Sequence, residues 1–173
     1  MAANPYISFF GNVTPVIDAE AYIDISARII GDVRIAPGSS IWPGAVLRAD
    51  DDEIVIGKDS AVLDLCLIEA PKGSPVHIAN DVIISHKACI HGAEVKTGAL
   101  VGIGAIVLDN AVIGENALVG AGALIPPNTV VPDNMLMLGQ PAKPVREINQ
   151  GDRRKIEAQL NELKTKAAVY RKY

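Results

Sequence analysis

Aliphatic residues recur every six positions between residues 95 and 131 of this chain. A period of six matches neither the 3.6-residue period of a helix nor the two-residue period of a strand, so it indicates a structural repeat. Such hexads predict a parallel β-helix, in which short strands alternate with corners and one branched side chain per face points into a narrow core. The aliphatic core positions are Val95, Val101, Val107, Ile113, Val119, Ile125 and Val131, and the small residues two places before them are Ala93, Ala99, Ala105, Ala111, Ala117, Ala123 and Thr129.

The same repeat extends toward the N-terminus with two interruptions. It follows an irregular lead-in over residues 1–14, in which an edge strand is predicted around Tyr6–Phe10. The period slips at Ala49–Glu53 and again at Ala70–Pro75, where prolines and a glycine indicate a loop. If three hexads make one turn, the repeat forms about six triangular coils before it ends at Pro132. The core positions in this part are Ile17, Ile23, Ile29, Ile35, Ile41, Leu47, Ile56, Val62, Ile68, Ile78, Ile84 and Ile90.

A helical pattern follows the repeat. The turn-rich segment Leu138–Pro144 is predicted to be a link, and a helix is predicted to begin at about Asp152. An apolar stripe along this helix predicts that it packs on the β-helix or on a neighbouring subunit. We therefore divide the chain into a β-helix domain over residues 1–145 and a C-terminal helix over residues 146–173. The stripe consists of Ile156, Leu160, Leu163, Ala167 and Tyr170.

Composition narrows the class of protein. Of the 173 residues, 49% are hydrophobic but only 4% are aromatic, so one domain with an aliphatic core is expected. The net charge of −4 and the absence of a basic cluster argue against a nucleic-acid partner. No apolar run or leader pattern indicates a membrane partner or export. The two cysteines suggest no disulfide framework, which favours the cytoplasm; Cys66 is predicted to fill a core position and Cys89 has no spacing typical of a thiolate ligand.

The three-hexad turn also predicts which polar side chains stack on one another. Residues that directly follow core positions three hexads apart form one outward-facing column, which we call the Arg48 column: Arg48, Glu69 and His91. Residues two places after core positions form a second column elsewhere on the surface, which we call the His86 column: Asp64 and His86. Carboxylates and imidazoles at such positions are candidate metal ligands.

One chain cannot easily bring both histidines to one metal ion. His86 and His91 are five residues apart, which is roughly 10–16 Å of extended chain. Zinc binds its ligand atoms at about 2 Å. Around a threefold axis, however, the His86 column of one chain would face the Arg48 column of the next. The hypothesis is a homotrimer with one metal site at each interface, where Trp42 is also expected to pack.

Four short motifs and the hexads together resemble γ-class carbonic anhydrases and their relatives over residues 11–148. The motifs are Ser40–Pro43, Arg48–Asp50, Ser85–Gly92 and Leu138–Lys143. The resemblance implies a homotrimer of left-handed parallel β-helices with a zinc, iron or cobalt ion held by three histidines at each interface. It also implies reversible hydration of CO2 to bicarbonate by metal-bound hydroxide.

The resemblance assigns roles to individual positions. His86 and His91 match two of the three family histidines, and Glu69 stands at the third, so the implied metal ligands are Glu69, His86 and His91. Three further residues match the polar lining of the site and are the candidate catalytic residues: Arg48, Asp50 and Asp64. Their alternative role is an ion network that orders the subunit interface.

Two residues depart from the family pattern. Glu69 replaces a histidine ligand, and Leu63 replaces a glutamine beside the site aspartate. Two histidines and one glutamate form a known catalytic zinc set, but the negative charge of Glu69 would make a bound water less acidic. A salt bridge to Arg48 is the alternative role of Glu69. Leu63 removes a hydrogen-bond partner for water or bicarbonate.

Three functions therefore remain open at the level of sequence. The first is a metal-dependent lyase of the γ-carbonic anhydrase type. The second is a CoA-dependent acyltransferase or thioesterase, because hexapeptide-repeat transferases often carry a tail like Gly139–Lys143. The third is a trimeric scaffold without catalysis, which the departures at Glu69 and Leu63 favour.

Overall fold

In the computed structural model, which describes residues 6–172, short parallel strands coil around a narrow core for about seven turns and a single helix follows them. The predicted class, a parallel β-helix of hexapeptide repeats with a C-terminal helix, is confirmed. Residues 1–5 of the predicted lead-in and residue 173 of the predicted helical segment lie outside the described range.

Most strands are two or three residues long, because each hexad spends its other residues on a corner. The strands are β1 Ile7–Ser8, β2 Val16–Ile17, β3 Tyr22–Ile23, β4 Arg28–Ile35, β5 Ser40–Ile41, β6 Val46–Ile56, β7 Ala61–Val62, β8 Leu67–Glu69, β9 Val76–Ile78, β10 Ile83–Ile84, β11 Cys89–His91, β12 Glu94–Val95, β13 Leu100–Val101, β14 Ile106–Val107, β15 Val112–Ile113, β16 Leu118–Val119, β17 Leu124–Ile125, β18 Val130–Val131, β19 Met135–Gly139 and β20 Ala142–Glu147, and the helix is α1 Gln150–Tyr170.

Parallel pairing stacks the predicted core positions in three columns, one on each face of the β-helix. The aliphatic side chains of successive coils therefore contact one another along the axis and exclude water from a thin core. Face 1 stacks Ile7, Ile29, Leu47, Ile68, Ile90, Val107 and Ile125. Face 2 stacks Ile17, Ile35, Ile56, Ile78, Val95, Ile113 and Val131. Face 3 stacks Ile23, Ile41, Val62, Ile84, Val101, Val119 and Met137.

The β-helix is longer than the six coils that the sequence predicts. Met137 is buried and stacks on Val119, so the repeat continues past Pro132. At the other end, Ile7 of the predicted edge strand stacks on Ile29. Neither end follows the strict aliphatic pattern, because one position holds an unbranched methionine and the other lies in an irregular segment.

The first interruption of the repeat is absorbed inside a strand. β6 runs without a break through Ala49–Glu53, and its pairing with β4 shifts register between Gly31 and Val33. Gly31 has a φ of +80°, and a Cβ there would lie 2.0 Å from the carbonyl oxygen of Ala49, so only glycine fits. The second interruption, Ala70–Pro75, is the predicted loop and joins β8 to β9.

The segment after the repeat differs from the predicted link. β19 and β20 form an antiparallel hairpin around Leu138–Pro144, which lets the last coil end on paired backbone. The helix begins at Gln150, two residues before the predicted start. Asn149 caps it, and the Asp152 side chain accepts a hydrogen bond from the Asn149 backbone in return.

The helix packs on face 3 of its own chain. Most of its predicted stripe contacts that face: Ile156, Leu160 and Ala167 are buried and Leu163 is partly buried, whereas Tyr170 is 53% exposed. The prediction that Trp42 packs at a subunit interface is wrong: it is 8% exposed in the single chain, because the helix covers it and Tyr170 contacts its ring edge-on. Within residues 6–172, no helix combines the length and apolarity that a membrane crossing needs.

Candidate functional site

The Arg48 column forms on face 1 as predicted. Strand pairing aligns Arg48 with Glu69 and Glu69 with His91, so the three side chains lie on successive coils. Each follows a buried core position, which turns it outward, and each is partly buried. The regular parallel register thus places three polar groups in a row.

Arg48 bridges two carboxylates. Its Nη1 atom donates to Asp50 Oδ2 over 2.8 Å, and its Nη2 atom donates to Glu69 Oε1. The bonds to Asp50 and Glu69 raise the pKa of Arg48. The predicted salt bridge between Glu69 and Arg48 is therefore present. The other oxygen of Asp50, Oδ1, is buried and accepts no hydrogen bond within the described chain.

The second oxygen of Glu69 faces a histidine. Glu69 Oε2 lies 4.0 Å from His91 Nε2. Two donor atoms that share a tetrahedral zinc ion lie about 3.4 Å apart, given bonds of about 2 Å. The spacing is close to that of a ligand pair, and a small side-chain rotation would close the difference. Glu69 can therefore accept a hydrogen bond from Arg48 through one oxygen while its other oxygen is available to a metal.

The ring of His91 is held from its opposite side by a residue that the sequence did not single out. His91 Nδ1 hydrogen-bonds to the carboxylate of Asp109. Asp109 comes two places after Val107, which stacks on Ile90 one coil away. The hexad repeat could have predicted this contact. His91 lies one residue after a core position, and Asp109 lies two residues after the core position stacked on it in the next coil.

The His86 column forms at the corner between faces 3 and 1. His86 Nδ1 and Asp64 Oδ2 are 2.7 Å apart, and the backbone of Lys87 donates to the Asp64 carbonyl over 2.9 Å. Both side chains are substantially exposed. Like His91, His86 therefore has its Nδ1 atom occupied by a carboxylate and its Nε2 atom facing outward from that bond.

An apolar strip separates the two columns on one chain. Leu67, Cys89 and Ile106 are aligned on successive coils of face 1, and Leu67 and Ile106 are exposed. Burial, reinforced by the charge of Glu69, raises the pKa of the Cys89 thiol. The thiol is thus protonated at neutral pH.

No single chain completes a metal site among residues 6–172. No group of three His, Cys, Asp or Glu side chains comes close enough to hold one ion in that range. The candidate donors lie in two separate places, which we call half-sites, one with Glu69 and His91 and one with His86. Their chemistry, two imidazole nitrogens and a carboxylate oxygen, suits zinc.

Leu63 precedes Asp64 in the chain, but its side chain is buried. It is 1% exposed and packs with Tyr22 and Trp42 in the apolar cluster beneath the helix. Burial of the Tyr22 side chain and its hydrogen bond to Asp24 raise the pKa of Tyr22. The position of Leu63 therefore serves the attachment of the helix in this chain.

Sequence comparison identifies the class. No protein-family model matches the chain. The chain is 40% identical to a carbonic anhydrase from Geobacillus kaustophilus over 91% of its own length and 87% of the relative. It is 44% identical to the "Probable carbonic anhydrase" of Methanocaldococcus jannaschii over 82% of its own length and 89% of the relative. The chain therefore belongs to the γ-carbonic anhydrase-like family of hexapeptide-repeat proteins.

Structural comparison agrees with the hexapeptide-repeat fold. A hexapeptide transferase family protein from Anaplasma phagocytophilum superposes with a TM-score of 0.93 at 30% identity, covering 97% of this chain and 99% of that one. Some relatives are much longer: the match to the mitochondrial γ carbonic anhydrases 1 and 2 of Arabidopsis thaliana spans 32% and 33% of their lengths. The chain thus covers about a third of those two plant proteins.

Proposed function

We propose that this protein is a homotrimer that holds zinc, iron or cobalt at each subunit interface and catalyses the reversible hydration of CO2. The orientation of the two imidazoles carries this proposal. His86 and His91 each have Nδ1 tied to a carboxylate, which leaves Nε2 as the available donor. This is the usual arrangement around a metal-bound histidine.

The proposed ligands come from two chains. Glu69 and His91 of one subunit and His86 of the next would hold the ion. When bound, the metal would act as a Lewis acid that lowers the pKa of a coordinated water toward neutrality. Glu69 fits this role because Arg48 occupies only one of its oxygens.

The remaining polar residues would orient the ligands and the anionic product. Arg48 keeps Glu69 turned toward His91, and its guanidinium would also attract bicarbonate to the site. Asp50 orients Arg48, and Asp64 orients His86. These contacts support the catalytic set Arg48, Asp50 and Asp64 that the family resemblance implies.

The surface around the half-sites supports assembly with a second copy of the chain. Ile25, Leu65 and Ile103 are exposed along the corner that carries the His86 column, and the apolar strip continues this patch onto face 1. Exposed apolar patches of this kind are typical of protein interfaces. A partner chain would cover the patch and bring the two half-sites together. The free cysteines fit a reducing compartment, and we propose the cytoplasm.

A subunit-mixing experiment tests the shared site. We expect His86→Ala and His91→Ala each to remove metal from an otherwise intact trimer, whereas His77→Ala, at an exposed position beside Glu53, keeps it. Co-expression of the two defective chains at equal levels should restore metal at about one quarter of the interfaces, because random mixing places an intact His86 beside an intact His91 that often. Metal per chain is measured by elemental analysis of untagged trimers.

The mixing result discriminates between the alternatives. Recovery of metal and of CO2 hydration in the mixture requires ligands from two chains. Mixed trimers without metal would contradict a site shared between two chains. A wild-type trimer that takes up no metal would favour the scaffold function.

A second candidate function is CoA-dependent acyl transfer or thioester hydrolysis. The close superposition with a hexapeptide transferase family protein favours it. Isothermal titration with CoA and with acetyl-CoA tests this candidate, because a transferase must bind the thioester even when metal is removed.

A further inference from the structure

Asp109 lies one coil beyond His91 and touches the side of its ring that faces away from Glu69. We propose that Asp109 is a positioning residue for His91, which fixes both the orientation and the tautomer of the ring so that Nε2 is available to a metal. The inference rests on the proposed function only where it concerns metal binding. Its core, the control of the His91 ring by Asp109, stands on the geometry of the single chain.

The hydrogen bond sets the tautomer. An ionised carboxylate only accepts hydrogen bonds, so the bond between Asp109 and His91 requires the hydrogen to be on Nδ1. In a neutral imidazole the lone pair is then on Nε2, the atom that lies 4.0 Å from Glu69 Oε2. A ring in the other tautomer would point an N–H group toward this position and could not bind a cation there. A carboxylate partner also raises the basicity of the ligating nitrogen.

The backbone reserves space for this contact. Gly92 follows His91 with a φ of +59°, and a Cβ atom at that position would lie 3.0 Å from Asp109 Oδ1 and 2.8 Å from Ser74 Cβ. A side chain at residue 92 would therefore crowd Ser74 and the Asp109 carboxylate. The turn around Gly92 thus has no side chain at the point where the carboxylate approaches.

Main-chain hydrogen bonds hold Asp109 in place. The amide of Asn110 donates to the Gly92 carbonyl over 2.6 Å, and the amide of Asn128 donates to the Asp109 carbonyl over 2.8 Å. The backbone of residue 109 is thus fixed from the coil before and the coil after. The carboxylate of Asp109 contacts the ring of His91. This is the arrangement expected of a preorganised ligand support, as Asp64 provides for His86.

Nuclear magnetic resonance of the metal-free protein tests the inference directly. Nitrogen-15 shifts of His91, recorded at a pH at which the ring is neutral, report which nitrogen carries the hydrogen. We expect the Nδ1–H tautomer in the wild type and a shift toward Nε2–H in Asp109→Ala. Asp109→Asn should give a mixture, because an amide can present either its oxygen or its NH2 group to the ring. The control is Asp133→Asn, which makes the same charge change at an exposed corner where Oδ1 accepts from the Glu115 amide.

Metal affinity supplies the second measurement. Titration of each trimer with zinc should show binding weakened by about 10–100-fold in Asp109→Ala and unchanged in Asp133→Asn. Circular dichroism must remain that of the wild type, and Asp109→Asn replaces Asp109→Ala if the alanine variant unfolds. Equal tautomer populations in the wild type and the Asp109 variants would overturn the inference. A wild type that binds no metal while the tautomer shifts would overturn the proposed function and leave the role of Asp109 intact.

Discussion

Glu69 carries a negative charge at a position where the family resemblance implies a histidine, and the structure gives this charge two different neighbours. Arg48 donates to one oxygen, and His91 faces the other. The arginine therefore offsets the charge without closing the carboxylate to a cation. A site of this composition would carry one negative charge more than a site of three histidines, and this difference should govern the acidity of a bound water.

The substitution Glu69→His tests the effect of that charge. We expect metal content to be kept and CO2 hydration at neutral pH to rise by about tenfold if the pKa of bound water falls by one unit. Stopped-flow hydration assays on metal-loaded trimers measure the change. Glu69→Gln is the matched control, because it removes the charge without supplying an imidazole and should lower metal content. Unchanged or slower hydration in metal-loaded Glu69→His would show that the charge of Glu69 does not limit the reaction.

The substitution Leu63→Gln is expected to affect stability, because Leu63 is 1% exposed among apolar side chains. Restoring the glutamine that the family resemblance implies should lower the free energy of unfolding by about 1–3 kcal/mol, since the buried amide would lack partners. Urea denaturation followed by circular dichroism measures this loss. Leu138→Gln, at a 43% exposed position in the hairpin, should have little effect. A fully stable Leu63→Gln protein with faster hydration would contradict this assignment.

The C-terminal helix lies outside the hexad pattern, and its start depends on side-chain contacts. Asp152 accepts hydrogen bonds from Arg146 and from the backbone of Asn149. The bond from Arg146, followed by that from Asn149, lowers the pKa of Asp152 from 3.8 to about 2. The hairpin that ends the β-helix therefore also anchors the first turn of the helix.

This contact predicts a pH dependence of the helix start. The folded pKa of Asp152 is lower than its unfolded value, so its contribution is complete above about pH 4 and is lost as the pH falls toward 2. Protection of the amides in the first helical turn, measured as the exchange rate relative to that of an unstructured peptide at the same pH, should fall over this range, while amides of the central coils stay protected. Asp152→Asn should show low protection in this turn at every pH. Equal protection of the first turn at pH 5 and pH 2 in the wild type would contradict the prediction.

The whole molecule presents one helix-covered face and one apolar corner. Helix α1 covers face 3, whereas Ile25, Leu65 and Ile103 remain exposed beside the His86 column. A monomer would leave this corner in water, whereas a trimer that uses it as an interface would bury it.

The substitution Ile103→Glu tests this assembly. Ile103 is 55% exposed in the single chain, so the glutamate should not disturb its fold but should destabilise an apolar interface. Analytical ultracentrifugation should then find folded monomers that bind little metal. Val145→Glu, at a 56% exposed position in the hairpin, is expected to remain trimeric. If Ile103→Glu also sediments as a trimer, the interface lies elsewhere.

Much of this architecture could be predicted because each hexad repeats the same local physics. A branched residue must turn inward once per face, so Leu47, Ile68 and Ile90 stack, and the column of Arg48, Glu69 and His91 follows from counting. The roles of these residues as ligands stay predictions. The stacking that brings them into a row is confirmed.

The errors and omissions have different physical causes. Met137 keeps the six-residue spacing from Val131 but lacks a branched side chain, and the hairpin depends on pairing between residues that carry no repeat. Trp42 was expected at an interface because the sequence does not show where the helix will pack. Asp109 was missed because its partner is set by side-chain reach between neighbouring coils, which a backbone lattice does not specify.

The three-column stacking has a consequence for changes in chain length. The helix meets the β-helix on face 3, and the site residues lie on face 1 and its adjoining corner. A duplication of three hexads between Ile113 and Val131 would add one full turn. The helix would keep its angular position about the β-helix axis relative to the site. A duplication of one hexad would turn everything after it by a third of a revolution, and the apolar stripe of the helix would meet the wrong surface. The β-helix can therefore change in length by whole turns only. The number of hexads sets the angle between the site residues and the face that the helix covers.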